Sequence, residues 1–145
     1  MPCNAGFSPG CAMNRFASLS CALALTAGAL SCAAAEWEPV TDTDSAIYLL
    51  DRATLTSEHG RMRAWVLVTG PYGRGLPDYG SRTQLMVFDC GERAVALKEY
   101  ALHSLPGGQG VVLRTEAYED DGLTFTQPGP GSVGDQLLGA ACDPR

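Results

Sequence analysis

The stretch that most constrains this chain is Ser81-Arg-Thr-Gln-Leu-Met-Val-Phe-Asp-Cys-Gly-Glu-Arg-Ala-Val-Ala-Leu-Lys-Glu-Tyr100. Thr83 to Phe88 is rich in β-formers, and Arg93 to Tyr100 alternates well enough to pair with it. Between them Asp89-Cys90-Gly91-Glu92 has turn chemistry, so the segment reads as a hairpin with a cysteine on its rim. Only one cysteine lies downstream, Cys142, inside a short helical pattern near the end of the chain. In an exported protein these two are natural disulfide partners, and the link would tie the C-terminal helix to the hairpin.

The length of 145 residues allows one domain, and the first part is not domain-like. Met1 to Ala35 holds four of the six cysteines and no acidic residue. Met13-Asn-Arg15 is a short positive n-region, and Phe16 to Leu30 is an apolar run too short to span a bilayer comfortably. Ala33-Ala-Ala35 then supplies the small residues of a cleavage site before Glu36. The segment 1–35 therefore reads as a signal peptide, with 1–12 an upstream extension from a misplaced start, and 36–145 as the mature domain. Export to the periplasm or the medium follows. A rival reading takes Leu30-Ser31-Cys32 as a lipobox, which acylates Cys32 and makes the product an outer-membrane lipoprotein.

Loss of Arg15 with the signal leaves nine Lys and Arg against sixteen Asp and Glu. That balance excludes nucleic acid as a partner, and a membrane too unless Cys32 is lipidated. Two cysteines remain, an even count in an oxidising compartment. Closing a loop of roughly 50 residues stabilises the fold by about 4 kcal/mol in the chain-entropy model. A metal site built from both cysteines with His59 and His103 is the alternative. Zinc ligands come in close pairs, however, and these four are scattered singly. No C-x-x-C supports a redox pair.

Along the mature domain, Trp37 is an early apolar anchor and Thr41 to Ser45 is turn-like. Ala46 to Asp51 reads as a strand, which Ala53 to Thr56 continues after a bend. In the strand Arg61 to Thr69, residues Met62, Ala64, Val66 and Val68 share the more apolar face, which should meet the core. Gly70 to Gly80 is a mobile hairpin loop that lacks the G-x-x-x-x-G-K-[ST] of a phosphate cradle. Its Tyr72, Arg74 and Tyr79 are residue types that recur at binding hot spots, which makes them the candidate partner-binding set. Val111 to Tyr118 is a further strand, Glu119 to Gly122 a solvated acidic hairpin tip rather than a calcium loop, and Leu123 to Thr126 a short last strand. Ser132 caps a helix with Asp135 at its third position, and Val133, Leu137 and Ala141 recur every four residues before Pro144 ends it. Gly134 and Gly139 each cost this helix roughly 1 kcal/mol against alanine. The sum is an α+β domain: an antiparallel, meandering sheet of five to six strands with a C-terminal helix packed on it and one disulfide.

Catalytic chemistry is hard to find. No G-x-S-x-G is present, and neither histidine has a nucleophile at a motif spacing. The reading is therefore a non-enzymatic binding module that needs no cofactor and no metal. The alternatives are a small periplasmic enzyme or ligand-binding domain using His103, Asp89 and Arg63, or an inhibitor of an envelope enzyme acting through the Gly70–Gly80 loop.

Across the mature domain the sequence resembles the surface-adhesin protein E-like family of bacterial envelope proteins. The resemblance rests on Trp37, Tyr48-Leu-Leu-Asp51, Arg61 to Leu67 with Trp65, Tyr79-Gly-Ser-Arg82, Phe88-Asp-Cys90, and Pro130-Gly-Ser-Val-Gly-Asp135 leading to Cys142. It implies an antiparallel sheet with a C-terminal helix. The family's namesake is a surface lipoprotein that binds host matrix and serum proteins such as vitronectin, laminin and plasminogen. A protein partner of unknown identity is therefore expected here, and a homodimer stays open.

Overall fold

The computed structural model describes residues 35–143. These form a seven-stranded antiparallel sheet and one helix. The strands are β1 (Trp37–Asp42), β2 (Ile47–Asp51), β3 (Thr56–Glu58), β4 (Arg61–Thr69), β5 (Ser81–Asp89), β6 (Ala94–His103) and β7 (Val112–Ala117), followed by α1 (Val133–Cys142). They lie in the order β1-β2-β4-β5-β6-β7, with β3 pairing β4 beyond the end of β2. The expected α+β meander is present, and its central hairpin is β5 and β6, paired from Ser81–His103 down to Asp89–Ala94.

Three local differences from the sequence reading have physical causes. Trp37–Asp42 is an extra strand, hidden by Pro39 and by a shift of register between Pro39 and Thr41. An edge strand tolerates such a proline because its missing N–H faces away from the ladder. Arg52–Thr54 is a single 3₁₀ turn rather than a strand, because the Asp51 carboxylate accepts from Ala53 N and holds the backbone curled. Pairing with β4 resumes only at Thr56. Leu123 to Thr126 makes just one bridge, Val95 to Thr126, and Phe125 lies under the Arg61 guanidinium at 4.4 Å.

One face of the sheet carries the core. Leu50, Ala64, Val66, Val68, Met86 and Phe88 are buried there against Leu137, Leu138 and Ala141 of α1. This is the face of β4 that alternation assigns to the core. Full burial of a leucine or phenylalanine stabilises by about 1.5–3 kcal/mol, so Phe88, Leu50 and Leu138 anchor the layer. The opposite face is covered more thinly. Leu67 and Val87 are buried on it, and the Pro106–Gly108 turn folds back across its upper end, Gly107 N donating to Thr69 Oγ1 and Gly108 N to Ser81 Oγ. Lower down, Asp120 bridges Arg63 on β4 and Lys98 on β6 across the sheet. The acidic segment is thus a cross-strand clamp and not a free hairpin tip.

The helix begins as its capping residues dictate. Ser132 Oγ accepts from Asp135 N, while the Asp135 carboxylate reaches back to Gly131 N. Its far end is held by the Cys90–Cys142 disulfide, with Cα atoms 5.7 Å apart. Replacing Cys90 or Cys142 with serine should remove about 4 kcal/mol and lower the melting temperature by more than about 10 °C. Unchanged melting in either variant would deny the link a structural role. The two helix glycines should respond differently to alanine. A Cβ at Gly139 meets nothing within 4 Å, so Gly139→Ala should stabilise by about 1 kcal/mol. One at Gly134 would lie 2.9 Å from Pro128 Cβ, so Gly134→Ala should gain less or lose stability. Paired thermal melts check both.

Candidate functional site

The Gly70–Gly80 loop is built by close approaches that exclude side chains at its two ends. A Cβ on Gly70 would sit 2.6 Å from the Arg74 carbonyl oxygen, and one on Gly80 would sit 2.2 Å from the Leu105 backbone. Glycine at both places lets the loop double back and dock on the end of β6, where Gly80 N donates to His103 O. Leu76 and Tyr79 bridge within the loop, and Tyr79 is half-buried. Of the candidate partner-binding set, Tyr79 is thus the one that forms part of the loop's footing.

At the tip, Pro71–Gly73 makes one 3₁₀ turn with Tyr72 at φ 57°. Left-handed backbone is unusual for a tyrosine and is a feature of ligand clamps and switch regions. Its ring is 90% exposed, and the Arg74 guanidinium lies over it at 5.8 Å. The structure thus brings Tyr72 and Arg74 together and leaves Tyr79 below them. Beside Tyr72 runs a groove of about 540 Å³, lined by Val40, Thr41, Asp42, Ile47, Pro71 and Tyr72. One wall is β1, the strand that sequence alone does not reveal. Across β1 lies a second groove, of about 500 Å³, in which Arg52 donates to both Glu38 and the Ala140 carbonyl.

The residues considered for an enzyme are not brought together. Asp89 and the partner of His103, Ser81, stand at opposite ends of β5, about 26 Å apart by strand rise. His103 Nε2 is 2.9 Å from Thr83 Oγ1, and burial pushes the imidazole below its ordinary value, which favours the neutral ring. Asp89 caps Glu92 N and pairs with Arg61, while Arg63 is held by Glu58 and Asp120. The cysteine–histidine metal arrangement fails because both sulfurs are in the disulfide and His59 is an exposed turn residue. Among the described residues no group of three or more His, Cys, Asp or Glu could hold a metal ion. The signal-peptide and Cys32 readings lie outside the described residues.

The family model for surface-adhesin protein E matches residues 37–143. The chain belongs to the surface-adhesin protein E family. Two solved structures of Haemophilus influenzae protein E are similar to it. Crystal form II shows 14% identity and a TM-score of 0.49, covering 76% of this chain and 96% of that one. The other shows 14% identity and a TM-score of 0.44, covering 74% and 92%. Comparison with curated proteins finds no match.

This family member carries paired carboxylates that make its stability acid-sensitive. Asp135 is held below its ordinary value by the Gly131 N–H and then by Arg93, and Asp89 by the Glu92 N–H and then by Arg61. Hydrogen bonds lower Asp120 through Lys98, Glu38 through Arg52, and Glu116 through Tyr100 and Arg114. Each folded-state value lies below the unfolded one, so each contribution is complete above about pH 4–5 and lost as pH falls through the folded value. The melting temperature should stay level from neutrality to about pH 5 and fall below about pH 4. The double variant Asp89→Asn, Asp135→Asn should flatten that fall; an equally steep profile would remove these two groups from the account.

Proposed function

We propose that the chain is an exported envelope module of surface-adhesin type that holds a protein partner at the Tyr72–Arg74 tip and the groove beside β1. The observation that carries this reading is Tyr72 itself, a nearly fully exposed aromatic in left-handed backbone, with an arginine guanidinium over its ring and a largely apolar groove beside it. Tyrosine and arginine supply much of the energy of protein interfaces because they bury large area and still hydrogen-bond. Prolines at positions 39 and 71 pre-set backbone on either side of the groove, which reduces the ordering cost of a partner. Family membership supports a location on or outside the envelope, with Glu36 as the first mature residue or, on the rival reading, an acylated Cys32. Matrix and serum proteins are the partner class the family brings forward.

The direct test is binding of the purified exported protein to immobilised laminin, vitronectin and plasminogen, with Tyr72→Ala, Arg74→Ala as the comparison. Both side chains are exposed, so the variant should melt with the parent. Loss of a hot-spot pair should weaken binding roughly 30-fold. Equal binding by the variant would move the site elsewhere on the domain. No binding by the parent would remove these host proteins as partners.

A further inference from the structure

Arg82 stands apart from the other basic side chains of the domain. Arg52, Arg61, Arg63, Arg93, Lys98 and Arg114 each meet a carboxylate, and Arg74 lies over the Tyr72 ring. Among the described residues Arg82 has no ion pair, hydrogen bond or aromatic contact. Yet it is half-buried, and its Nε is shut off from solvent without a hydrogen-bonding partner. In a chain with sixteen acidic residues and a net charge of −6, that isolation is not for want of carboxylates. A partly desolvated cation without a counter-charge costs free energy, and buried donors in folded proteins otherwise find partners.

The pleat of β5 puts a second unpaired group beside it. Gln84 is two residues on, about 7 Å along the strand, and faces the same way, toward the side that carries Met86 and Phe88. It is only 6% exposed, and among the described residues no hydrogen bond reaches its amide. Val68 and Leu102 are the cross-strand neighbours of Arg82, which accounts for the burial of its aliphatic stem and Nε. Tyr100 stands opposite Gln84, and Glu116 beyond Tyr100. That acid, the one the register brings onto this face, is already taken by Tyr100, Arg114 and Tyr118.

We propose that Arg82 and Gln84 form a binding site for a carboxylate. Only Nε of the guanidinium is shut off from solvent, so the two terminal nitrogens are left to take a carboxylate end-on through parallel N–H bonds. The Gln84 amide supplies a further donor from the same face. Charge sets the class of ligand. One cation beside a neutral amide matches a single negative charge, whereas a doubly charged phosphate would meet repulsion from Glu116 across Tyr100. The carboxylate belongs to a small free acid or to an acidic side chain of a polypeptide, and the test separates the two. Neither Arg82 nor Gln84 lines the groove beside Tyr72, so this inference goes beyond the partner site there and does not rest on it.

Heteronuclear NMR of the purified exported protein tests it, by titration with acetate, N-acetylglutamate α-amide and inorganic phosphate at an ionic strength held constant with chloride. The Arg82 Nε–H and the Gln84 side-chain amide resonances are identified by their loss in Arg82→Leu and Gln84→Leu. Both should shift saturably with acetate, with a Kd in the millimolar range, as a single charge-assisted fork allows. Arg82→Leu should abolish saturation at the Gln84 amide, and Gln84→Leu should weaken binding read at Arg82 roughly fivefold. Tighter binding of the glutamate amide than of acetate assigns a polypeptide source; equal or weaker binding assigns a free acid. Shifts no larger than chloride alone produces overturn the proposal, as does phosphate binding more tightly than either carboxylate. So does saturation at the Gln84 amide that persists in Arg82→Leu. If Arg82→Leu fails to fold, the parent titration read at both resonances, together with Gln84→Leu, decides alone.

Discussion

The four-residue turn between β5 and β6 holds the helix at both ends. Cys90 opens the turn and binds Cys142 in the last turn of α1; Arg93 closes it, at φ 49°, and pairs with Asp135 in the first. Glu92 between them accepts a hydrogen bond from Gln127 on the incoming segment. A helix of ten residues, two of them glycine, has little stability of its own. Anchored at each end to one rigid hairpin, it has little freedom left to lose on docking, and Leu137, Leu138 and Ala141 then close the core. The fold's one covalent link and its helix cap therefore act on the same small piece of chain.

That arrangement packs α1 against β1, β2, β4, β5 and β6, while β7 stands outside those main contacts. The uncovered part is polar and internally paired, with Tyr100, Tyr118 and Arg114 all directed at Glu116. The other face is managed by loops: the Pro106–Gly108 turn above and the Asp120 clamp below. A single short helix on a seven-stranded sheet would leave apolar surface wet without these devices. The acidic excess of the chain is partly spent in them, since Asp120, Asp135, Asp89 and Glu38 all serve basic partners.

Periodicity in sequence was sufficient wherever one side of an element meets a uniform environment. The alternation of Met62 to Val68, the β5–β6 hairpin, the Ser132 cap and the cysteine pairing were legible because each depends on local spacing or simple counting. Trp37–Asp42 was not, because Pro39 and a register shift erase the alternation, and its strand form comes from pairing with Ile47–Asp51. Leu123–Thr126 failed in the opposite way: strand-like residues there find only one partner, and Phe125 is used under Arg61. Of the candidate site, Tyr72 and Arg74 could be picked by residue type. The groove beside them could not, because its other wall is the strand the pattern concealed. Tyr79 shows the limit of residue type as a guide, since only the docking of Gly80 on Leu105 turns that ring into footing.

The two edges of the sheet follow different rules. β1 carries Pro39 and a register shift, both of which spoil a template for another strand, and it is bordered by grooves on either side. A partner there must dock by side chains, entering beside Tyr72. β7 has no proline, and its charged residues Arg114 and Glu116 and the register shift beside Leu113 take that part instead. Charges of that kind help to blunt an open edge against pairing with other strands. The paired strands β2, β4, β5 and β6 lie between the two edges and carry most of the buried core of the sheet.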